Sequence, residues 1–237
     1  MPEKKSSKET QGKLYVVATP IGNLEDISLR ALRILGNVSA IACEDTRQTI
    51  KILNKYNIKK KLISYFHPKE QQKIPKLLSI LQEGQDVALV SDAGTPGISD
   101  PGYPLIREAL AQGVEVVPIP GASAITAALS ASGLPTHKFH FLSFPSPKKH
   151  ATKKMLDAIK NERETLVFYV PTRKLSIFLH LIREILGERQ IVVAKELTKL
   201  HEEFLRGTPS ELLFEIEKRE IKGEVTLLIG GKSKKED

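Results

Sequence analysis

Short continuous apolar runs alternate along this chain with longer segments in which apolar residues recur every three or four positions. Runs flanked by turn residues read as strands buried on both faces; the i, i+3, i+4 recurrence reads as an amphipathic helix. Residues 13–18, 38–43, 62–65, 86–90 and 114–120 are runs of the first kind. Between them lie helical patterns. Leu29, Leu32, Ile34 and Leu35 form one, capped by Asp26 or Ser28 and ended by Gly36. A second covers 47–54, with Thr46 as its cap. A third covers 71–83, with Ile74, Leu77, Leu78 and Leu81 on one face, and a fourth covers 103–110 and stops at Gly113. The run at 114–120 leads into a small-residue helix over 121–129, with Ser123 placed to cap it or to bond a ligand. Strand and helix in strict alternation predict a parallel sheet.

From residue 139 the pattern changes. Residues 139–144 alternate, 165–170 and 190–197 are strands, and 201–207 is expected to pair with the latter. A helix over 174–186 ends at Gly187. Thr208, Pro209 and Glu211 make a capping box with Pro at N1 for a helix over 212–218, and Gly223-Glu224 turns into a last strand at 225–229. This half predicts a mixed, partly antiparallel α/β domain. With 133–137 as linker, the expected organisation is a polar tail at 1–12, a first domain at 13–134, a second at 138–231 and a charged tail at 232–237.

The densest turn chemistry lies at 90–102, Val-Ser-Asp-Ala-Gly-Thr-Pro-Gly-Ile-Ser-Asp-Pro-Gly. Three glycines and two prolines exclude both helix and strand there. A strand that gives way to a helix through such a loop is the usual ligand loop of an open α/β sheet. Gly94, Gly97 and Gly102 allow close backbone approach, and Asp92 and Asp100 supply acceptors. Two other strand ends carry reactive groups: Glu44-Asp45-Thr46-Arg47, and His67 after the third strand. The segment 145–150, followed by Lys153 and Lys154, reads as a basic, proline-bearing loop able to meet a phosphate backbone. The first strand–turn–helix holds no G-x-G-x-x-G, so a dinucleotide fingerprint is missing.

Composition narrows the class. Among 237 residues, 41% are hydrophobic and 27% charged, enough for real cores, and the net charge of +8 suits a polyanionic partner. No apolar run nears the roughly 18 residues of a membrane span, and the charged start of the chain has no signal-peptide core. One cysteine, Cys43, excludes an internal disulfide framework and fits a reducing cytoplasm. The six histidines show no metal-ligand spacing.

Six stretches in order resemble the tetrapyrrole methylase superfamily over nearly the whole chain, and within it a bacterial branch that methylates small-subunit ribosomal RNA. They are 17–26, 44–47, 91–102, 120–124, 195–199 with 201–203, and 222–224. The resemblance implies a two-domain fold, a parallel-sheet N-terminal domain and a mixed-sheet C-terminal α/β domain, with S-adenosylmethionine in the cleft between them. It also implies a homodimer and 2′-O-methylation of a cytidine ribose in 16S rRNA at the decoding region. Carried over residue by residue, the cofactor site falls on Thr19, Pro20, Asp92, Thr95, Ser123 and Ala124. In the second domain it falls on Tyr169, Val170, Leu197 and Thr226, mostly through backbone groups. Two departures stand out. Val170-Pro171-Thr172-Arg173-Lys174 replaces a Glu-Ser-Pro-His-Arg-like run, and Ser143 stands where a glycine is usual.

Methyl transfer from a sulfonium is an in-line displacement, and a ribose hydroxyl gains from a general base. Glu44, Asp45, His67 and Asp92 could serve; Asp45 with Arg47 is the favoured orienting pair. Loss of the proton to water is an equally open account. Lys195, Lys199 and Arg206 could hold phosphates, with His67 beside the substrate. No metal is called for, because the cofactor brings its own electrophile. Two other readings stay open: a methylase of tetrapyrroles or other small molecules, and a non-catalytic RNA-binding module.

Overall fold

The apolar runs of the first half become five strands in a computed structural model that describes residues 11–219 and 221–233: β1 (Leu14–Val17), β2 (Ala40–Cys43), β3 (Lys61–Ser64), β4 (Val87–Val90) and β5 (Val116–Ile119). They form one parallel sheet in the order β3-β2-β4-β1-β5. Between them run α1 (Leu29–Asn37), α2 (Thr46–Lys55), α3 (Glu70–Gln82) and α4 (Tyr103–Ala111). Strand side chains alternate between faces, so each face receives its own helices. Val17, Ile41 and Val90 meet α1 and α2 through Ala31, Leu35 and Leu53. Leu14, Ala42 and Leu89 meet α3 and α4 through Leu77, Leu81 and Leu105. Neighbouring β1 and β4 therefore send their following helices to opposite faces, which makes their carboxyl ends a topological switch point.

Two local details differ from the pattern reading. Gly36 lies inside α1, which closes one residue later where Val38 N–H donates to Ile34 O at 3.1 Å. The cap of α2 is Asp45, not Thr46: its carboxylate accepts Arg47 N–H at 2.8 Å. The cap of α1 is Ser28, one of the two expected.

By packing, the chain divides between Ser123 and Ala124, ahead of the expected linker at 133–137. The reason is α5 (Ala124–Ser132). It buries Ile125, Ala128 and Leu129, and it packs on β10 (Glu224–Ile229) and β8 (Ile191–Lys195) of the second unit. That unit's sheet also holds β6 (Phe139–Phe141), β7 (Thr165–Pro171) and β9 (Glu203–Gly207). The order is β6-β7-β10-β8-β9, with only the β6–β7 pair parallel. It is covered by α6 (Lys149–Ala158), α7 (Thr172–Leu186) and α8 (Pro209–Glu217). The predicted capping box of α8 is present. The expected basic loop holds over 145–148, and α6 begins at Lys149 and takes in Lys153 and Lys154. Its inward face, Thr152, Met155 and Leu156, with Ile159 just past its end, is diluted by lysines.

Among the described residues no helix is long and apolar enough to cross a membrane. Most of both expected tails, at 1–10 and 234–237, lies outside the described residues. The described ends are tied down: Gly12 N–H donates to Leu81 O and Lys232 N–H to Glu162 O, each at 2.8 Å.

Candidate functional site

In the first unit the loops after β1 and β4 are stitched together. Thr19 N–H donates to Gly94 O at 2.8 Å and Gly94 N–H to Thr19 O at 3.0 Å, a short antiparallel bridge beyond the parallel strands. Thr19 is buried, and its hydroxyl donates to Ser91 O at 3.1 Å. Gly102 has φ of 152°, and a Cβ there would stand 3.0 Å from Gly97 N and 3.2 Å from Leu89 Cδ2. The loop after β5 packs as closely, since a Cβ on Gly121 would stand 3.0 Å from Ala18 Cβ. Backbone thus meets backbone at the switch point, which leaves peptide groups rather than side chains to line a ligand.

Carboxylates surround these loops. Asp92 Oδ1 accepts Asp45 N–H at 2.9 Å, tying the end of β4 to the end of β2. Asp45 is itself occupied, because it caps α2 and grips Arg47, with Nη2 at 2.6 Å and Nε at 3.0 Å. That partnership holds its pKa down at about 2. The neighbours move the other way. Burial raises Asp92, and only the Asp45 N–H and Arg47 offset it. Burial raises Asp100 to about 6 despite a bond from the Ser91 hydroxyl. Burial, then the charges of Asp92 and Asp100, raise Glu44. Three carboxylates with suppressed ionisation describe a place where added positive charge is favourable.

The remaining expected positions fall as follows. Pro20 is buried behind the bridge and Thr95 is half-buried in the glycine-rich loop. Ser123 and Ala124 stand at the chain junction, Ala124 opening α5. His67 is exposed beyond β3, its Nδ1 3.6 Å from Glu70 Oε1. The pattern reading passes over Tyr65, whose buried hydroxyl accepts Leu105 N–H of the first turn of α4 at 3.3 Å and so supports the end of the loop.

In the second unit Tyr169 and Val170 of β7 pair with Thr226 and Val225 of β10, so three of the four positions expected there share adjacent strands. Leu197 follows β8 between Glu196 and Thr198, both in left-handed conformation at φ 50° and 65°. The proposed phosphate anchors all have protein partners. Lys195 Nζ lies 3.5 Å from Glu203, and Lys199 Nζ 3.0 Å from Glu196 and 2.8 Å from Glu224. Arg206 donates to the Ala131 and Ser132 carbonyls at 2.6 and 3.3 Å, closing the end of α5. His140, Glu162 and Glu164 bring ligand-capable atoms within 4.8 Å of one another, a grouping that sequence spacing does not reveal. His140 Nδ1 lies 3.7 Å from Glu162 Oε2.

Comparison with known proteins places this geometry. The profile of the tetrapyrrole (corrin/porphyrin) methylases matches residues 13–213. A Thermotoga maritima protein named ribosomal RNA small subunit methyltransferase I is 46% identical over 93% of this chain and 99% of its own length. Proteins of that name from Bacillus subtilis and Escherichia coli O157:H7 are 44% and 45% identical, over 98% and 100% of this chain and 79% and 84% of theirs. Among solved structures, the methyltransferase CobJ superposes with a TM-score of 0.70 at 20% identity, over 93% of this chain and 94% of its own. Uroporphyrin-III-C-methyltransferase from Thermus thermophilus gives 0.65 at 21%, over 93% and 94%. At such identities these two speak for the fold alone, whereas the profile and the close relatives span most of the chain. The chain belongs to the tetrapyrrole methylase family, in the group of ribosomal RNA small subunit methyltransferase I proteins.

Proposed function

We propose that this chain transfers a methyl group from S-adenosylmethionine to the 2′-oxygen of a cytidine ribose in 16S ribosomal RNA, in the decoding region of the small subunit. The observation that carries the reading is the 46% identity, over 93% of the chain, to a protein named for methylating small-subunit ribosomal RNA. When bound, S-adenosylmethionine supplies an electrophilic methyl group on a positively charged sulfur. The first unit suits such a guest. Thr19, Pro20 and Thr95 lie in the loops that close on glycine backbone there, and no cation offsets the burial of Asp100 and Glu44, while Asp92 has only Arg47. Ser123 and Ala124 complete that set. Tyr169, Val170, Leu197 and Thr226 are the second unit's contribution.

The chain's own residues divide the remaining work. Asp45, with its pKa near 2, is a poor base; its bidentate hold on Arg47 suits it to orienting that cation toward a phosphate or ribose. Asp100, near 6, is matched to accepting a proton close to neutrality, as is Glu44 by the direction of its shift. His67 stands at the substrate rim. Lys195, Lys199 and Arg206 contribute through the surfaces they brace. A homodimer in the cytoplasm completes the proposal.

Mass spectrometry of ribonuclease fragments of 16S rRNA, from cells lacking this protein, tests the reading. One fragment loses a single ribose methyl on a cytidine. An unchanged set of fragments rejects the RNA substrate and leaves a small-molecule methylase. Absence of S-adenosylmethionine binding in calorimetry leaves a non-catalytic module.

A further inference from the structure

Phe144 is 53% exposed, yet it is not a loose side chain. Ser143 before it has φ of 56°, a left-handed residue that breaks the line of β6. Tyr169 N–H donates to Ser143 O at 3.0 Å and pins that kink to β7. The Phe144 ring then lies against the Tyr169 ring, centroids 5.4 Å apart, and Tyr169 meets Phe141 edge-on at 5.0 Å. Phe144 thus leans on Tyr169, which leans in turn on Phe141, and about half of its surface stays exposed. The chain after it is equally fixed. Pro145 is buried, the Ser146 carbonyl accepts the Thr152 hydroxyl at 2.9 Å, and Ser146 Oγ accepts Lys148 N–H at 3.2 Å. That loop delivers Lys148, Lys149 and Lys154 to solvent on and beside α6, while Lys153 is held by Glu184.

We propose that the exposed surface of Phe144 is a stacking platform for one unpaired base of the RNA substrate, with Lys148, Lys149 and Lys154 holding the phosphates beside it. The inference rests on the RNA-methylating reading above. Sequence-specific and single-stranded RNA sites combine these two parts: a braced aromatic surface for a base and flexible cations for the backbone. The lysines spread along an exposed helix rather than closing a pocket, which fits an extended polyanion better than a compact porphyrinoid carboxylate. Tyr169 lends its ring to the platform, whereas the cofactor contacts assigned to it use its backbone, so the two roles coexist on one strand.

The test is binding of a decoding-region RNA fragment by full-length protein, measured by fluorescence anisotropy across a salt series. Phe144→Ala weakens binding by about 5- to 160-fold, the range for loss of one base stack, without changing the salt slope. Phe144→Tyr binds as wild type, and Phe144→Leu falls with the alanine variant. Lys149→Ala lowers the salt slope by about 0.7, the value for one single-strand phosphate contact. S-Adenosylmethionine affinity, read by calorimetry, stays unchanged in the Phe144 variants. If Phe144→Ala binds RNA as wild type does, or loses cofactor affinity in parallel, the platform is overturned. Tighter loss for a porphyrinoid than for RNA also overturns it. Methylation of RNA by the wild-type protein, run alongside, separates those outcomes from failure of the underlying reading.

Discussion

Asp100 and Asp45 sit at neighbouring strand ends of one unit and are driven in opposite directions. Asp100 ionises near 6 because burial penalises its charge, while Asp45 ionises near 2 because Arg47 and a helix N–H reward it. The consequences for stability have opposite signs. Asp100 holds a proton that the unfolded chain has already released, so the folded state loses stability as pH rises from about 4 to about 6 and does not regain it above. Its partial exposure to solvent discounts the cost to roughly 2 kcal/mol. Asp100→Asn is therefore expected to be more stable than wild type at pH 7 and equal to it below pH 4, read by urea unfolding at both values. Equal stability at pH 7 contradicts the burial argument. Asp45 instead contributes stability above pH 4 that is lost toward pH 2. A penalty retained at a strand end is what a ligand site requires, since stability is given up where charge is needed for binding. The motif at 91–102 makes Asp92, Asp100 and Thr95 legible from sequence, because glycines and acids crowd a strand end. It does not reveal that Asp92 reaches Asp45, a bond between residues 47 positions apart. Nor does it show that Lys195, Lys199 and Arg206 are already partnered, because apart from Glu196, three residues before Lys199, the partners come from other strands and from α5.

The parallel strands were the easiest elements to read, since burial on both faces leaves uninterrupted apolar runs. Elements whose packing is one-sided were harder. Lysines mask the few core-facing positions of α6, Thr152, Met155 and Leu156, and the small residues of α5 give no clue to which sheet it covers. Two substitutions test what the elements do. Gly102→Ala forces a Cβ into φ of 152° and to 3.0 Å from Gly97 N. The left-handed strain alone costs about 1–2 kcal/mol, and the glycine-rich loop must shift. Both lower stability and weaker S-adenosylmethionine binding are expected, measured by denaturation and calorimetry; wild-type values in both contradict the tight loop packing. Arg206→Ala uncaps α5 and is expected to cost about 1–2 kcal/mol, the worth of a charged hydrogen bond, with RNA affinity within about two-fold of wild type. A large loss of RNA affinity at unchanged stability returns Arg206 to the phosphate-binding set.

For the whole molecule, each unit closes its own core, and their sheets differ as alternation and runs foretell: one wholly parallel, the other mixed. The net charge of +8 suits an RNA partner and leaves the acidic strand ends of the first unit as a local exception to it. That exception is the centre of the account. The most direct test follows label from tritiated methyl S-adenosylmethionine into 16S rRNA, with wild-type protein and Asp92→Ala side by side. The account predicts label in a 2′-O-methylated cytidine with wild type, and little with Asp92→Ala, which loses cofactor affinity by at least about ten-fold, roughly the worth of one charge-assisted contact, while still binding RNA. Label absent from RNA with wild type, or undiminished with Asp92→Ala, would contradict it.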